Sequence, residues 1–378
     1  MDVKSKRLIS EVIAEAQKLS KYSIGETIEG LAIKLGVKPS EILKLNSNEN
    51  FFIPLDFLRN ILRQVVDETD PRLYPRDEFR ELKEALSQRL NVLPEEIVIG
   101  AGSDQLIDLV SRMFLSRGDE ALSINPTFVI YERCVRIQKA EYKSVPLKDD
   151  FSLDVDALIS SVNPKTKIIF LCSPNNPTGN RFSREDILRI AENFNGLVVV
   201  DEAYADFASE TLIDLAGELE NLIVFRTFSK FFGLAGLRVG YAITNRDLAK
   251  TINERFQMPF SASIIALKMA TKLLEEENFK FIEEKALELK VERSRLIKAL
   301  NNIEGVKAFP SETSFILFHV EDISSPSVYK ALLKRGVIIR EIGKVLKFKN
   351  CLRVTVAPAE MMKRFLKSLE EVLDELRA

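Results

Sequence analysis

The sequence predicts an α/β protein whose mostly parallel sheet is covered on both faces, followed by a smaller α+β region. Three observations carry that expectation. Between about residues 95 and 245, short apolar runs alternate with amphipathic stretches of helical spacing. Those runs are apolar throughout, as strands buried on both faces require. From Ser261 to Glu304 the chain has no Gly or Pro and is rich in Leu, Glu and Lys, so its texture changes to long helix.

In chain order, the expected strands are 96–100, 121–124, 167–172, 197–200, 222–225 and 238–243. Helical patterns lie between them at 104–115, 154–162 and 184–194. One or two helices should fill 261–304, because the apolar spacing is not a sustained heptad. Strands at 314–320, 336–342 and 351–356 and a closing helix at 359–377 complete the pattern. At the start, Leu8, Val12, Ala16 and Leu19 share one helical face among mixed Lys and Glu, unlike a secretory leader. No apolar run approaches the roughly 18 residues of a membrane span.

Composition narrows the chemistry. The 378 residues carry 54 Lys plus Arg against 56 Asp plus Glu, a net charge of −2 that does not suggest a nucleic-acid partner. The single histidine, His319, removes His-cluster metal sites and leaves one imidazole for any catalytic triad. It sits in the apolar run Phe315–Val320, which reads as a buried strand. Cys134, Cys172 and Cys351 form no CxxC pair, so free thiols and a cytoplasmic setting are expected.

Four segments carry candidate chemistry. In Gly100-Ala-Gly-Ser-Asp-Gln105, a strand end opens a helix, and Gly102, Ser103 and Asp104 offer backbone N–H groups to an anion such as phosphate. An ordinary Ser cap explains that segment equally well. Asp201 and Glu202 follow the apolar run 197–200 and resemble an ATPase strand end. The only Gly-Lys pair, Gly343-Lys344, lacks the remaining residues of a phosphate loop, so the ATPase reading falls. Asp201 then remains a carboxylate at the ligand-binding edge of a parallel sheet. Ser173-Pro-Asn-Asn-Pro-Thr-Gly179 is a rigid turn that would hold an Asn amide at that edge.

The most informative segment runs from Arg226 to Gly240. Lys230 leaves a buried strand between Phe228, Phe231 and Phe232, where desolvation lowers a lysine pKa and frees the amine to form an imine. Ser229 and Arg238 add phosphate-binding capacity. An imine-forming lysine, a carboxylate for a pyridinium nitrogen and a phosphate-binding helix start are the parts of a pyridoxal 5′-phosphate site.

From about 22 to 353 these segments resemble the fold-type I, class I and II aminotransferases, most closely the branch acting on histidinol phosphate. The resemblance implies a seven-stranded cofactor domain at 46–259, with a smaller domain built from 1–45 and 260–378. It implies that Lys230 carries the cofactor and moves the proton, and that Asp201 pairs with the ring nitrogen. Asn176 and Tyr204 should meet the ring 3′-oxygen, and Phe128, in Pro126–Tyr131, should stack on the ring. Gly102, Ser103, Thr227, Ser229 and Arg238 should surround the phosphate. Tyr74, in Leu73-Tyr-Pro75, should reach the cofactor phosphate of a partner subunit in a homodimer.

The substrate side follows from the same likeness. Arg353 matches the residue that binds the substrate α-carboxylate, and bidentate recognition requires Arg rather than Lys there. Arg340 and Tyr22 match positions near the substrate phosphate, and Asn48 lies in the entry motif Leu45–Asn50. Implied substrates are a small amino donor, histidinol phosphate, and a 2-oxo acid, 2-oxoglutarate. The family pattern N-E-N-P-x-G departs here, with Phe51 and Ile53 for Pro and Gly. That change keeps aromatic amino-acid transamination open, and the motifs also resemble a threonine-phosphate decarboxylase-like lyase.

Overall fold

The computed structural model describes residues 3–17, 19 and 25–378, so Tyr22 lies outside the described residues. Seven strands form one sheet: β1 (Ile97–Gly100), β2 (Glu120–Asn125), β3 (Glu141–Pro146), β4 (Thr166–Cys172), β5 (Leu197–Asp201), β6 (Leu222–Thr227) and β7 (Gly240–Ile243). Their spatial order is β1-β7-β6-β5-β4-β2-β3. Strands β2 to β6 run parallel, and β7 alone is antiparallel to both of its neighbours.

Burial on both faces explains the continuous apolar runs. In β5, Val198 and Val200 belong to one core cluster, whereas Leu197 and Val199 belong to the other. The helix Ser103–Phe114 buries Leu106, Ile107, Leu109 and Val110 against the second cluster. The strands expected for this sheet all form, but β3 was not foreseen, nor outside this sheet were Leu43–Lys44 and Val306–Ala308. Strand β3 is an edge strand whose side chains are mostly exposed, so Glu141-Tyr-Lys-Ser carries no apolar signature.

A second sheet contains β8 (Val306–Ala308), β9 (Phe315–Val320), β10 (Arg340–Val345) and β11 (Phe348–Thr355), all antiparallel in the order β10-β11-β9-β8. The strand expected at 336–342 is in fact two. Val337–Ile338 pairs in parallel with Leu43–Lys44, and the chain then switches sheets at Arg340. The first pairing buries Val337 and Ile338, whereas Arg340, Glu341 and Ile342 of β10 stay half-exposed at the cleft, and nothing in the continuous extended segment marks which partner each half meets. His319 lies in β9 as expected, with its ring nitrogen Nδ1 against the Lys349 carbonyl.

The long helical stretch is interrupted at Glu275, where ψ is 141°, giving helices Ile264–Leu274 and Glu276–Asn301. The first packs against Leu55–Asp67 and Asp77–Leu90, and the second against β8, β9 and the closing helix Ala359–Arg377. The N-terminal helix Val3–Ala16 leaves Leu8 and Val12 exposed on the isolated chain. Among the described residues, no helix is long and apolar enough to cross a membrane.

Candidate active site

The C-terminal ends of β2, β4, β5 and β6, the start of helix Ser103–Phe114, and β10 and β11 enclose a cleft of about 470 Å³. Each chemistry-bearing segment reaches it because parallel strands all end at the same sheet edge. Asp201 is the last residue of β5 and is almost wholly buried. Its Oδ1 accepts from the Ala203 N–H at 3.1 Å, and its Oδ2 accepts from the Tyr131 hydroxyl at 2.8 Å. Burial raises its carboxyl to about 6, against the pull of those hydrogen bonds.

Lys230 lines the same cleft, three residues beyond β6. Its Nζ donates to the Ser47 carbonyl at 3.1 Å and lies 5.8 Å from the Tyr204 ring centroid. Desolvation, with the positive charge of Arg353 second, lowers the amine to about 8. The Tyr204 hydroxyl is buried and accepts from Asn48 Nδ2 at 2.8 Å. Asn48 takes a left-handed backbone, φ 56°, held by its N–H on Thr355 Oγ1 at 3.0 Å. Its own Oδ1 is buried with no hydrogen-bond partner among the described residues.

The anion-binding corner is built by close backbone approach. A Cβ on Gly240 would lie 2.7 Å from the backbone of Gly102 and Ser103, and one on Gly102 would lie 2.7 Å from the Arg238 guanidinium. Glycine at both places lets β7, the helix start and the guanidinium converge. Arg238, with φ 54°, donates to Asp104 Oδ2 at 3.1 Å and to Ser229 Oγ at 3.3 Å. The Ser229 N–H donates to Thr227 Oγ1 at 3.1 Å. Helix N–H groups, two hydroxyls and a guanidinium therefore surround one point, which suits a phosphate.

Behind this wall, Arg226 on β6 is buried in a satisfied charge cluster. It donates to Glu202 Oε2 at 2.9 Å, Asp206 Oδ1 at 2.7 Å and Thr211 Oγ1 at 2.9 Å. The cluster ties the turn that carries Tyr204 to the strand that carries Thr227.

The opposite wall belongs to the second sheet. Arg353 on β11 donates to Asn176 Oδ1 at 2.6 Å and to the Asn46 carbonyl at 2.9 Å. Arg340 on β10 is its direct cross-strand neighbour, and both line the cleft. Phe128 lines it as well, edge-on to Tyr131 at 5.7 Å between centroids.

Of the expected residues, the structure brings Asn48, Ser103, Asp104, Phe128, Asn176, Asp201, Tyr204, Thr227, Ser229, Lys230, Arg238, Arg340 and Arg353 to this one cleft, with Gly102 at its corner. Tyr74 does not reach it. It is exposed, stacked 4.6 Å from Phe260, on the outside of its own chain. Sequence reading also missed four contributors. Tyr131 is buried on the Asp201 carboxylate, and its only signal was a position three residues after Phe128. Asn175 ties Thr127 to Thr178 at 2.9 and 2.7 Å, which fixes the turn before Asn176. Ile342 and Lys344 line the mouth from β10, where the sequence shows nothing but a mixed strand.

The family model for aminotransferase class I and II matches residues 40–369. The chain belongs to the class I and II aminotransferases. A histidinol-phosphate aminotransferase of a Thermoanaerobacter species is 39% identical over 335 residues, covering 87% of this chain and 93% of that protein. One from Methanocaldococcus jannaschii is 35% identical over 364 residues, covering 94% and 96%. The crystal structure of histidinol-phosphate aminotransferase from Sinorhizobium meliloti, in complex with pyridoxal 5′-phosphate, superposes with a TM-score of 0.85 at 26% identity, over 96% of this chain and 97% of that one.

The aminotransferase fold is therefore the one expected, and its cofactor is pyridoxal 5′-phosphate. The cleft fits that group. It offers a buried carboxylate, a lysine amine, an aromatic wall and an anion corner whose glycines exclude side chains.

Proposed function

We propose that this aminotransferase moves the amino group of histidinol phosphate to 2-oxoglutarate, in histidine biosynthesis. The observation that carries the reading is the cross-strand pair Arg340 and Arg353, two arginines opposite each other in strand register that both line the cleft containing Lys230. Histidinol phosphate bears a phosphate ester where an amino acid bears its α-carboxylate. A paired guanidinium site accommodates either anion, as a site shared by donor and acceptor must.

When bound, pyridoxal phosphate supplies an aldehyde for the substrate amine and a ring that withdraws electrons from the substrate Cα. Gly102, Ser103, Thr227, Ser229 and Arg238 would hold its phosphate, with the backbone of Asp104 completing the helix start. Asp201 would keep a proton on the ring nitrogen, and Tyr131 steadies that carboxylate as an anion. Asn176 and Tyr204 would hold the 3′-oxygen, and Phe128 would cover the ring. Lys230 Nζ moves the proton of the substrate Cα. Its lowered pKa, about 8, gives it a usable neutral fraction near neutral pH. Arg353 orients the substrate anion, and Asn176, held by it, links substrate side and ring side.

The division into a cofactor unit at about 46–259 and a second unit from both chain ends is supported by the separate seven-stranded and four-stranded sheets and by the pairing of Leu43–Lys44 with Val337–Ile338, although helix Ile264–Leu274 sides with the larger unit. The exposed Leu73, Tyr74, Met258 and Phe260 support a homodimer in which Tyr74 reaches the partner's cofactor phosphate. Three buried free cysteines support a cytoplasmic setting.

An amino-donor screen with 2-oxoglutarate as acceptor tests the reading. Histidinol phosphate should outperform phenylalanine, and Arg340→Ala should weaken the former selectively. A better rate with phenylalanine, or release of carbon dioxide from threonine phosphate, defeats it.

A further inference from the structure

The cations of the cleft differ in how they are held. Arg238 is engaged by Asp104, and Arg353 by Asn176 and the Asn46 carbonyl. Lys230 rests on the Ser47 carbonyl. Lys344 lines the same cleft from β10 and is exposed at its mouth, but no acidic group or carbonyl holds its ammonium among the described residues. Three residues on, at the end of the same hairpin, Lys347 is paired with Asp149 at 2.8 Å. The nearest acid on the strand, Glu341, accepts from Ser325 Oγ at 2.7 Å. The outer wall therefore carries three cations, Arg353, Arg340 and Lys344, against one carboxylate, Glu341, and the ammonium at its entrance has no ion-pair partner among the described residues.

We propose that Lys344 is a specificity-determining residue that favours substrates carrying two negative charges over those carrying one or none. This inference rests on the substrate assignment above and extends it. A phosphate monoester carries a charge of about −1.5 to −2 at neutral pH, and 2-oxoglutarate carries two carboxylates. One active site must admit both in turn, although they share neither ring nor backbone. Doubly negative charge is what they have in common. A mobile lysine at the mouth suits that requirement, because a compact ammonium on a flexible stem meets anions of different shape. Acting through charge at the rim, it should accelerate capture rather than the chemical step.

The test compares Lys344→Ala and Lys344→Glu with wild-type holoenzyme, using Lys347→Ala as the control for an exposed lysine already paired. Steady-state constants are measured at low and high salt for histidinol phosphate and 2-oxoglutarate, with phenylalanine and pyruvate as singly charged or zwitterionic comparators. The expected result is a roughly 3- to 10-fold loss of kcat/KM for the two dianionic substrates, carried by KM and shrinking in high salt. Lys344→Glu should exceed Lys344→Ala, and phenylalanine and pyruvate should change less than twofold.

Equal losses for all four substrates, no loss for any, or a matching loss in Lys347→Ala would overturn the proposal. A wild-type enzyme inactive on histidinol phosphate would instead sink the donor assignment. The pair 2-oxoglutarate and pyruvate would then still decide the role of Lys344.

Discussion

The two walls of the cleft are built on different principles. The inner wall, at the ends of β5 and β6, is buried and rigid. Asp201 has two hydrogen-bond donors on its carboxylate, and Arg226 locks the neighbouring turn through three acceptors. The outer wall on β10 is half-exposed and interrupted by register shifts near Gly343. Fixed dipoles in a dry site suit groups that must do one reaction step. An open, half-exposed edge suits groups that must admit more than one substrate. Substitutions on the inner wall should therefore lower kcat for every donor, and those on the outer wall should change KM for particular donors.

The largest break is expected at Lys230. On the assignment proposed above, Lys230→Ala would remove both the cofactor's anchor and the base, and turnover should fall by at least about 10⁴-fold with every donor. Stopped assays combined with the absorbance of bound cofactor check this, and full activity in that variant would remove the inner wall from the chemistry.

Next comes Asp201→Asn, expected to lower kcat by roughly 10²- to 10³-fold as an electrostatic loss. It also carries a stability signature. Burial raises the carboxyl from 3.8 to about 6. Between those values the folded ligand-free chain binds a proton that the unfolded chain has released, so stability falls as pH rises through that window. Asparagine has no charge to bury. The variant should lose that slope and stand up to about 3 kcal/mol above wild type at pH 7 in melts of ligand-free protein.

Tyr131→Phe is a subtler probe of the same wall. The lost hydrogen bond held Asp201 in its charged form, so the carboxyl should rise further. The acid limb of the pH–rate profile should move upward, with kcat about 10-fold lower at pH 7 and recovery at higher pH. A uniform loss at all pH values would make Tyr131 a packing residue only.

The smallest effect belongs to the outer wall. Ile342→Ala removes apolar contact at the mouth and should raise KM about 2- to 5-fold for donors with an aromatic ring, leaving kcat unchanged. A change in kcat common to all donors would erase the distinction between the walls.

How much was legible follows the same division. Lys230, Asp201 and the Gly102–Asp104 turn could be read directly, because each sits where a buried apolar run stops and a polar or glycine residue begins. Such junctions have a local signature. Tyr131 could not be read, since its contact to Asp201 joins residues 70 apart in the chain. The edge strand β3 was missed because one exposed face dilutes the apolar pattern. The split of 336–342 into two pairings was missed because a strand does not encode which neighbour it meets.

By itself, the sequence determined the sheet's burial on both faces, the placing of Lys230 and Asp201 at strand ends, and the removal of histidine-based chemistry. These follow from side-chain polarity and spacing along a few consecutive residues. Only the tertiary structure decided that Arg340 lies across from Arg353, that Arg226 braces the inner wall and that Lys344 lines the entrance with no partner among the described residues. Those are distances between segments far apart in the chain, set by which surfaces pack together.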